Sequence, residues 1–156
     1  MIDVTNPGLN DLIARQEVIE AIDELFVATD RRDWAAVRAV LAPRVRFDMS
    51  SAGGGLAGER TGEEIAAGWE QGLAPIEAIH HQAGNYRVRV YGSRAAAFCY
   101  GVAWHYRPHP SGRNTRTFVG SYDFELERDE GGRWRITSFR FNLKFIDGNA
   151  ELEKGG

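Results

Sequence analysis

Among 156 residues the chain has one cysteine, Cys99. A single thiol excludes an internal disulfide and a cysteine-built zinc cage, and it suits a reducing, cytoplasmic setting. Long apolar runs are missing too: none approaches the ~20 residues that a membrane-spanning helix needs. The segment Met1 to Asn10 has no basic stretch leading into an apolar one, so no signal peptide is expected. Excess positive charge is also lacking. Lys and Arg number 19 against 22 Asp and Glu, a formal net charge of -3, which gives no global field for nucleic acid. Gly53-Gly54-Gly55 lacks the lysine and the spacing of a phosphate-binding loop. No internal repeat and no low-complexity segment interrupts the chain.

What is present is ordinary for a soluble domain with a real core: 43% hydrophobic and 26% charged residues. One domain over 1–156 is expected, with loose termini at 1–8 and 150–156. Pro7-Gly8 reads as a turn. Leu12, Ile13, Val18, Ile19, Ile22, Leu25 and Phe26 recur at helical spacing, which predicts a first helix over Leu9 to Thr29. Asp33 caps a second helix striped by Trp34, Val37, Val40 and Leu41, and Ala42-Pro43 stops it. Val45 to Met49 alternates as a short strand. Ser50 to Gly58 is a flexible loop, placed where a flap could cover a pocket. Thr61 and Glu64 form a capping box for a third helix with Ile65, Ala66, Trp69 and Leu73.

From Ile76 the period changes to two. Tyr86, Val88 and Val90 share one face of a strand that ends at the turn Tyr91-Gly92-Ser93. In the next strand Phe98, Tyr100, Val102, Trp104 and Tyr106 form a bulky face, and Ala97, Cys99, Gly101, Ala103 and His105 a small one. Taking the bulky face as inward leaves Cys99, Gly101 and Ala103, with Val119, as a flat outer surface for a homodimer or homotrimer. The arginines of 113–116 read as a solvated loop. Phe118, Tyr122, Phe124 and Leu126 alternate next, Asp129 to Gly132 turns the chain, and Trp134 opens a last strand running to Phe145. Asp147 to Gly156 reads as a polar tail, loose beyond Asn149. Three helices followed by a meander make an α+β domain, whose curved antiparallel or mixed sheet wraps the helices as a cone.

Asp30 sits where the first helix gives way to Arg31-Arg32-Asp33, and its natural partner is His80 or His81. Taken alone, Asp30 suits a helix-end turn, and either histidine suits a hydrogen-bonded core position. Alternation back from Val88 turns His80 inward; a β-bulge near Gly84 turns His81 inward instead. Neighbours on a strand face opposite ways, so the two histidines make a poor metal site. No metal and no cofactor is expected.

Asp30-Arg31-Arg32-Asp33-Trp34, Leu41-Ala42-Pro43-Arg44-Val45-Arg46-Phe47-Asp48, Ile79-His80-His81-Gln82-Ala83-Gly84-Asn85 and Gly132-Arg133-Trp134-Arg135-Ile136 resemble the SnoaL-like branch of the nuclear transport factor two-like superfamily. The scytalone dehydratase and hexachlorocyclohexane dehydrochlorinase groups are the most similar within it. The resemblance runs from about Leu12 to Phe145. It implies a cystatin-like α+β barrel and a cofactor-independent lyase or isomerase acting on a hydrophobic cyclic or aromatic small molecule. It matches Asp30 to the carboxylate that orients a pocket histidine, and His81 to that histidine. It matches His105 to a second pocket histidine, Tyr122 or Asp123 to a polar group on the next strand, and Arg140 to an arginine on the last strand. Parity favours Tyr122. Phe47, Met49, Trp69, Phe98, Tyr100, His105 and Asn142 would line the substrate site. The family's tyrosine or lysine near the end of the first helix is replaced here by Leu25 and Thr29. The fold also hosts proteins without catalysis, so the alternative is a non-catalytic binding or assembly module, similar to the small subunit of a ring-hydroxylating dioxygenase.

Overall fold

A computed structural model describes residues 7–155 of the chain. Three helices, α1 (Pro7–Asp30), α2 (Trp34–Val40) and α3 (Gly62–Leu73), pack against six strands. These are β1 (Leu41–Asp48), β2 (Gly58–Thr61), β3 (Ala78–Tyr91), β4 (Arg94–Tyr106), β5 (Thr115–Arg128) and β6 (Trp134–Gly148). They form one curved, unclosed sheet in the order β2-β1-β6-β5-β4-β3, mixed because β1 runs parallel to β6. The expected α+β fold is therefore present as an open sheet rather than a closed barrel.

Local sequence explains most element ends. Asp33 accepts from the Ala36 N–H at 3.1 Å and starts α2. Thr61 and Glu64 form the capping box that starts α3. The joint after α1 is tight: Arg32 takes a left-handed φ of 59°, and its guanidinium donates to the carbonyls of Leu73 and Ile76. That ties the end of α1 to the end of α3. Pro7-Gly8 begins α1 instead of turning before it, since proline is tolerated in a helix's first turn; residues 1–6 lie outside those described. Leu41 belongs to β1, and β2 occupies the short stretch between the predicted loop, which ends at Gly58, and the Thr61 cap, where no strand was expected. Ser50–Ala52 forms a short 3-10 turn, and the Ser51 hydroxyl donates to Phe141 O at 2.7 Å and accepts from Leu143 N at 2.9 Å.

The core lies between α1 and the inner face of the sheet, with Val18, Ile22 and Leu25 fully buried against Phe124, Leu126 and Ile136. Here the expected faces of β4 are reversed. Ala95, Ala97, Cys99, Gly101, Ala103 and His105 are buried, whereas Tyr100, Trp104 and Tyr106 are exposed at 45%, 37% and 39%. The large inner rings come instead from α1, β5 and β6, and rings of that size require small partners opposite. A Cβ on Gly101 would overlap the Tyr122 ring, and one on Gly120 would meet the Phe141 ring. Cys99, Gly101 and Ala103 are thus interior residues and cannot form an outer assembly surface.

The end of the chain also differs from expectation. Leu152 is fully buried with Ile76 and Ile79, and Arg107 donates to the carbonyls of Leu152 and Glu153. Residues 149–155 are held against the sheet rather than loose.

Candidate active site

Phe26 and Asp30 lie one helical turn apart at the end of α1, on one face. Both meet His81. The Phe26 ring stacks on the imidazole with centroids 5.2 Å apart, and Asp30 Oδ1 lies 2.6 Å from His81 Nδ1. Asp30 Oδ2 also accepts from the His81 backbone N–H at 2.8 Å. β3 is an edge strand, so its outward N–H groups have no strand partner, and the carboxylate occupies one of them. Asp30 thereby grips His81 by ring and backbone at once. The two side chains are 16% and 15% exposed.

A carboxylate at Nδ1 makes that nitrogen the N–H donor, which leaves the Nε2 lone pair of the neutral ring available. Nε2 has no protein partner among the described residues. His81 faces inward because of a bulge: the β3–β4 register shifts between Gly84 and Arg87, and Asn85 takes φ 56°. His80 consequently points outward, exposed, against Trp104.

Tyr122 is inside, 5% exposed, in edge contact with Phe26 at 4.9 Å and beside Phe124 and Phe141. Burial raises its phenol pKa, so the hydroxyl keeps its proton and can only donate or accept as a neutral group. Ring contacts continue through Phe139 to Phe47 and Trp69. Phe47, Trp69 and Met49 are half-buried against this core.

His105 lies two residues beyond Ala103, the partner of His81 across the strands. It is therefore a diagonal neighbour of His81 on the same face, roughly 7–8 Å away. Arg116 donates to His105 Nδ1 at 3.0 Å. Burial, then the nearby guanidinium, lower the His105 pKa to about 4.

Four expected residues lie elsewhere. Arg140 is on the outer face, its side chain 62% exposed and 3.8 Å from Asp48. The cause is a register shift: Leu126 pairs Ile136 but Glu125 pairs Ser138, so Thr137 is an extra residue that inverts the parity of β6 from Ser138 to Leu143, where a second shift follows. Asn142 follows the same inversion and donates to Asp123 and Ser121, not into the core. Phe98 and Tyr100 are on the outer face of β4, in contact with each other. Asp123 is exposed, which settles the choice of inward residue for Tyr122.

Arg116 is the residue that sequence reasoning passed over. It was grouped with a solvated loop, yet it shares parity with Phe118 and Tyr122, and extending that alternation two residues back places it inside. A separate groove of about 440 Å³ runs between α1, α2 and the β5–β6 turn, lined by Glu17, Glu24 and Trp134 among others. Its lining has no histidine.

A family model for the SnoaL-like domain matches residues 10–140. The chain belongs to this family. Its fold is shared with Kfla4162 from Kribbella flavida, at TM-score 0.84 and 23% identity over 90% of this chain and 97% of that one. It is also similar to hexachlorocyclohexane dehydrochlorinase LinA-type3 from Novosphingobium barchaimii, at TM-score 0.74 and 15% identity, with 92% and 94% covered. A scytalone dehydratase candidate from Novosphingobium aromaticivorans gives TM-score 0.75 and 12% identity, with 88% and 89% covered. No curated protein matches the chain. The SnoaL-like domain thus has dehydratase and dehydrochlorinase structures among its neighbours, at identities that speak for the fold alone. Among the described residues no helix is long and apolar enough to cross a membrane.

Proposed function

We propose that this SnoaL-like domain is a cofactor-independent lyase or isomerase whose base is His81. The observation that carries the proposal is the bidentate hold of Asp30 on His81, with Nδ1 2.6 Å from the carboxylate and Nε2 without a protein partner. Such an imidazole accepts a proton at Nε2, and Asp30 stabilises the imidazolium that forms. The substrate class follows from the surroundings. Phe26, Tyr122 and Phe141 line the ring's side of the core, with Phe47 and Trp69 beyond, and flat apolar rings suit such walls.

In a dehydration, Nε2 takes a proton from the carbon beside a carbonyl. The freed electron pair becomes the new carbon–carbon double bond, and the β-hydroxyl leaves as water on receiving a proton from a donor. In an isomerisation the same proton returns to a different carbon. Tyr122, which burial keeps protonated, is the candidate donor to the carbonyl oxygen. Arg140 has no part here, because it lies on the other face of the sheet.

The test is a panel of hydroxylated cyclic ketones and steroid-like alcohols, screened for loss of water or movement of a double bond. On a turned-over substrate, His81→Gln should preserve fold and affinity and lower turnover by about 10²–10⁴. Unchanged turnover in that variant would remove His81 as the base. Binding by the panel with no reaction would favour the non-catalytic module.

A further inference from the structure

The proposed function uses one of the two inward histidines. The other, His105, has the opposite wiring. A guanidinium cannot accept a hydrogen bond, so the 3.0 Å contact from Arg116 requires Nδ1 of His105 to be the unprotonated nitrogen. The proton of the neutral ring must then sit on Nε2, which has no protein partner among the described residues. His81 therefore presents a lone pair at Nε2, and His105, on the same face, presents an N–H.

Arg116 does not hold this position by itself. It is 8% exposed, and its two terminal nitrogens reach the two carboxylate oxygens of Glu153, one of them at 2.8 Å. It also lies over the Phe118 ring at 5.2 Å. Its Nε is buried and lacks a partner. An orphaned buried donor costs about 1–3 kcal/mol, and an ion pair whose carboxylate is one-third exposed adds little stability in return. A packed apolar side chain would serve the fold as well, so the arrangement calls for a chemical explanation.

Glu153 belongs to the segment that sequence reasoning left loose. Several contacts fix it: buried Leu152, the two carbonyl contacts from Arg107, and the Asn149 N–H to Thr115 O at 2.8 Å. The segment starts at Gly148, whose φ of 87° and contact with Thr115 O leave no room for a Cβ.

We infer that Arg116, held by Glu153, is a positioning residue that locks His105 as an Nε2–H donor aimed at the oxygen of the substrate, so that residues 149–155 are part of the site. This rests on the reading of His81 as base, because the donor matters only where negative charge develops on a substrate oxygen. The groups facing His105 are Arg116 from β5, His81 from β3, Asp30 from α1 and Glu153 from the closing segment. The Arg116 guanidinium and the imidazolium that His81 becomes on taking a proton are thus each matched by a carboxylate, Glu153 and Asp30.

The test reads the tautomer directly. Long-range ¹H–¹⁵N correlation spectra of the full chain should show His105 near neutral pH with an unprotonated Nδ1 and a protonated Nε2, and His81 with the reverse. Arg116→Met should turn the His105 signal into a mixture of both tautomers, and Arg116→Lys, which retains a donor, should restore the original form. Glu153→Gln keeps Leu152 in place while loosening Arg116, so it covers the case in which Arg116→Met fails to fold; it should shift the His105 tautomer in the same direction. On a substrate that requires His81, Arg116→Met should lower kcat at least tenfold with KM nearly unchanged. A His105 tautomer that is Nδ1–H in the native protein, or that is unmoved in both Arg116→Met and Glu153→Gln, would overturn the inference. So would a changed tautomer with full turnover on a His81-dependent substrate. If His81→Gln also keeps full turnover, the failure belongs to the proposed base and not to Arg116.

Discussion

Replacing Asp30 by asparagine changes few atoms and should change the chemistry of a neighbouring ring. An amide has one oxygen and one NH₂ where the carboxylate has two oxygens. The His81 backbone N–H, now 2.8 Å from Oδ2, needs an acceptor, so the amide oxygen should take that place. The NH₂ then faces His81 Nδ1 across the present 2.6 Å contact. Two donors cannot share that space, so Nδ1 must become the acceptor and the ring proton must move to Nε2. The nitrogen proposed as base becomes a donor, and the ring loses the charge that would stabilise its protonated form. Turnover should fall by about 10²–10⁴. Stability should change less, because two hydrogen bonds to a charge (about 1.5–3 kcal/mol each) are exchanged for two neutral ones (about 0.5–1.5 kcal/mol each). A net loss of about 2 kcal/mol lowers Tm by roughly 4–8 °C in a chain of this size. Histidine ¹⁵N spectra, a thermal melt and turnover on a panel substrate measure the three quantities. An Asp30→Asn protein whose His81 keeps its proton on Nδ1, or whose turnover stays within twofold, would refute the reasoning.

Other expectations follow from the packing. Gly101→Ala places a methyl group into the Tyr122 ring, and the forced shift should destabilise the fold by about 1–3 kcal/mol in urea unfolding; an unchanged midpoint would mean that Tyr122 is free to move. His105 titrates near 6.5 when unfolded and about 4 when folded, so between these values the unfolded chain binds the extra proton. Stability should therefore fall as pH drops from about 6.5 to about 4, by at most about 3 kcal/mol, and His105→Gln should lose that part of the slope. The outer face exposes Tyr100, Trp104 and Phe145, and we propose that a second or third copy covers it. Light scattering should then give more than the 17.4 kDa of one chain, and Trp104→Glu should bring the mass down to that value.

The fold was legible because its signals are local and repeated. The α1 stripe, the Asp33 cap and the Thr61–Glu64 capping box each rest on residues a few positions apart. The inward histidine was legible for a related reason: the family pattern pointed to His81, and a bulge next to Gly84 supplied the physical means. Arg140 and Asn142 were misplaced because Thr137 reverses parity; the apolar residues mark the change, moving from Trp134 and Ile136 to Phe139, Phe141 and Leu143, but a single alternation carried on from Trp134 passes over it. β4 was inverted for a different reason. Burying the larger face of a strand is sound when the opposing layer is small, but α1, β5 and β6 supply their own large rings, and from Ala95 to Ala103 small residues (alanine, cysteine and glycine) lie beneath them. Residues 149–155 were unreadable because their anchors, Arg107, Arg116 and Ile79, are distant in sequence and none forms a periodic pattern.

The two inward histidines show why residue type alone cannot assign a role. His81 and His105 have the same side chain on the same face of the same sheet. One touches a carboxylate and the other a guanidinium, and those partners place the ring proton at opposite ends. Burial and the guanidinium beside it disfavour a protonated His105 and keep that ring neutral. Environments that separate like groups in this way divide base from donor in proton-transfer sites. That division depends on Asp30 at the end of α1 and on Glu153 beyond the last strand. Each carboxylate reaches the sheet from outside it, so a change in the helix joint or in the closing segment would act on the chemistry without touching either histidine.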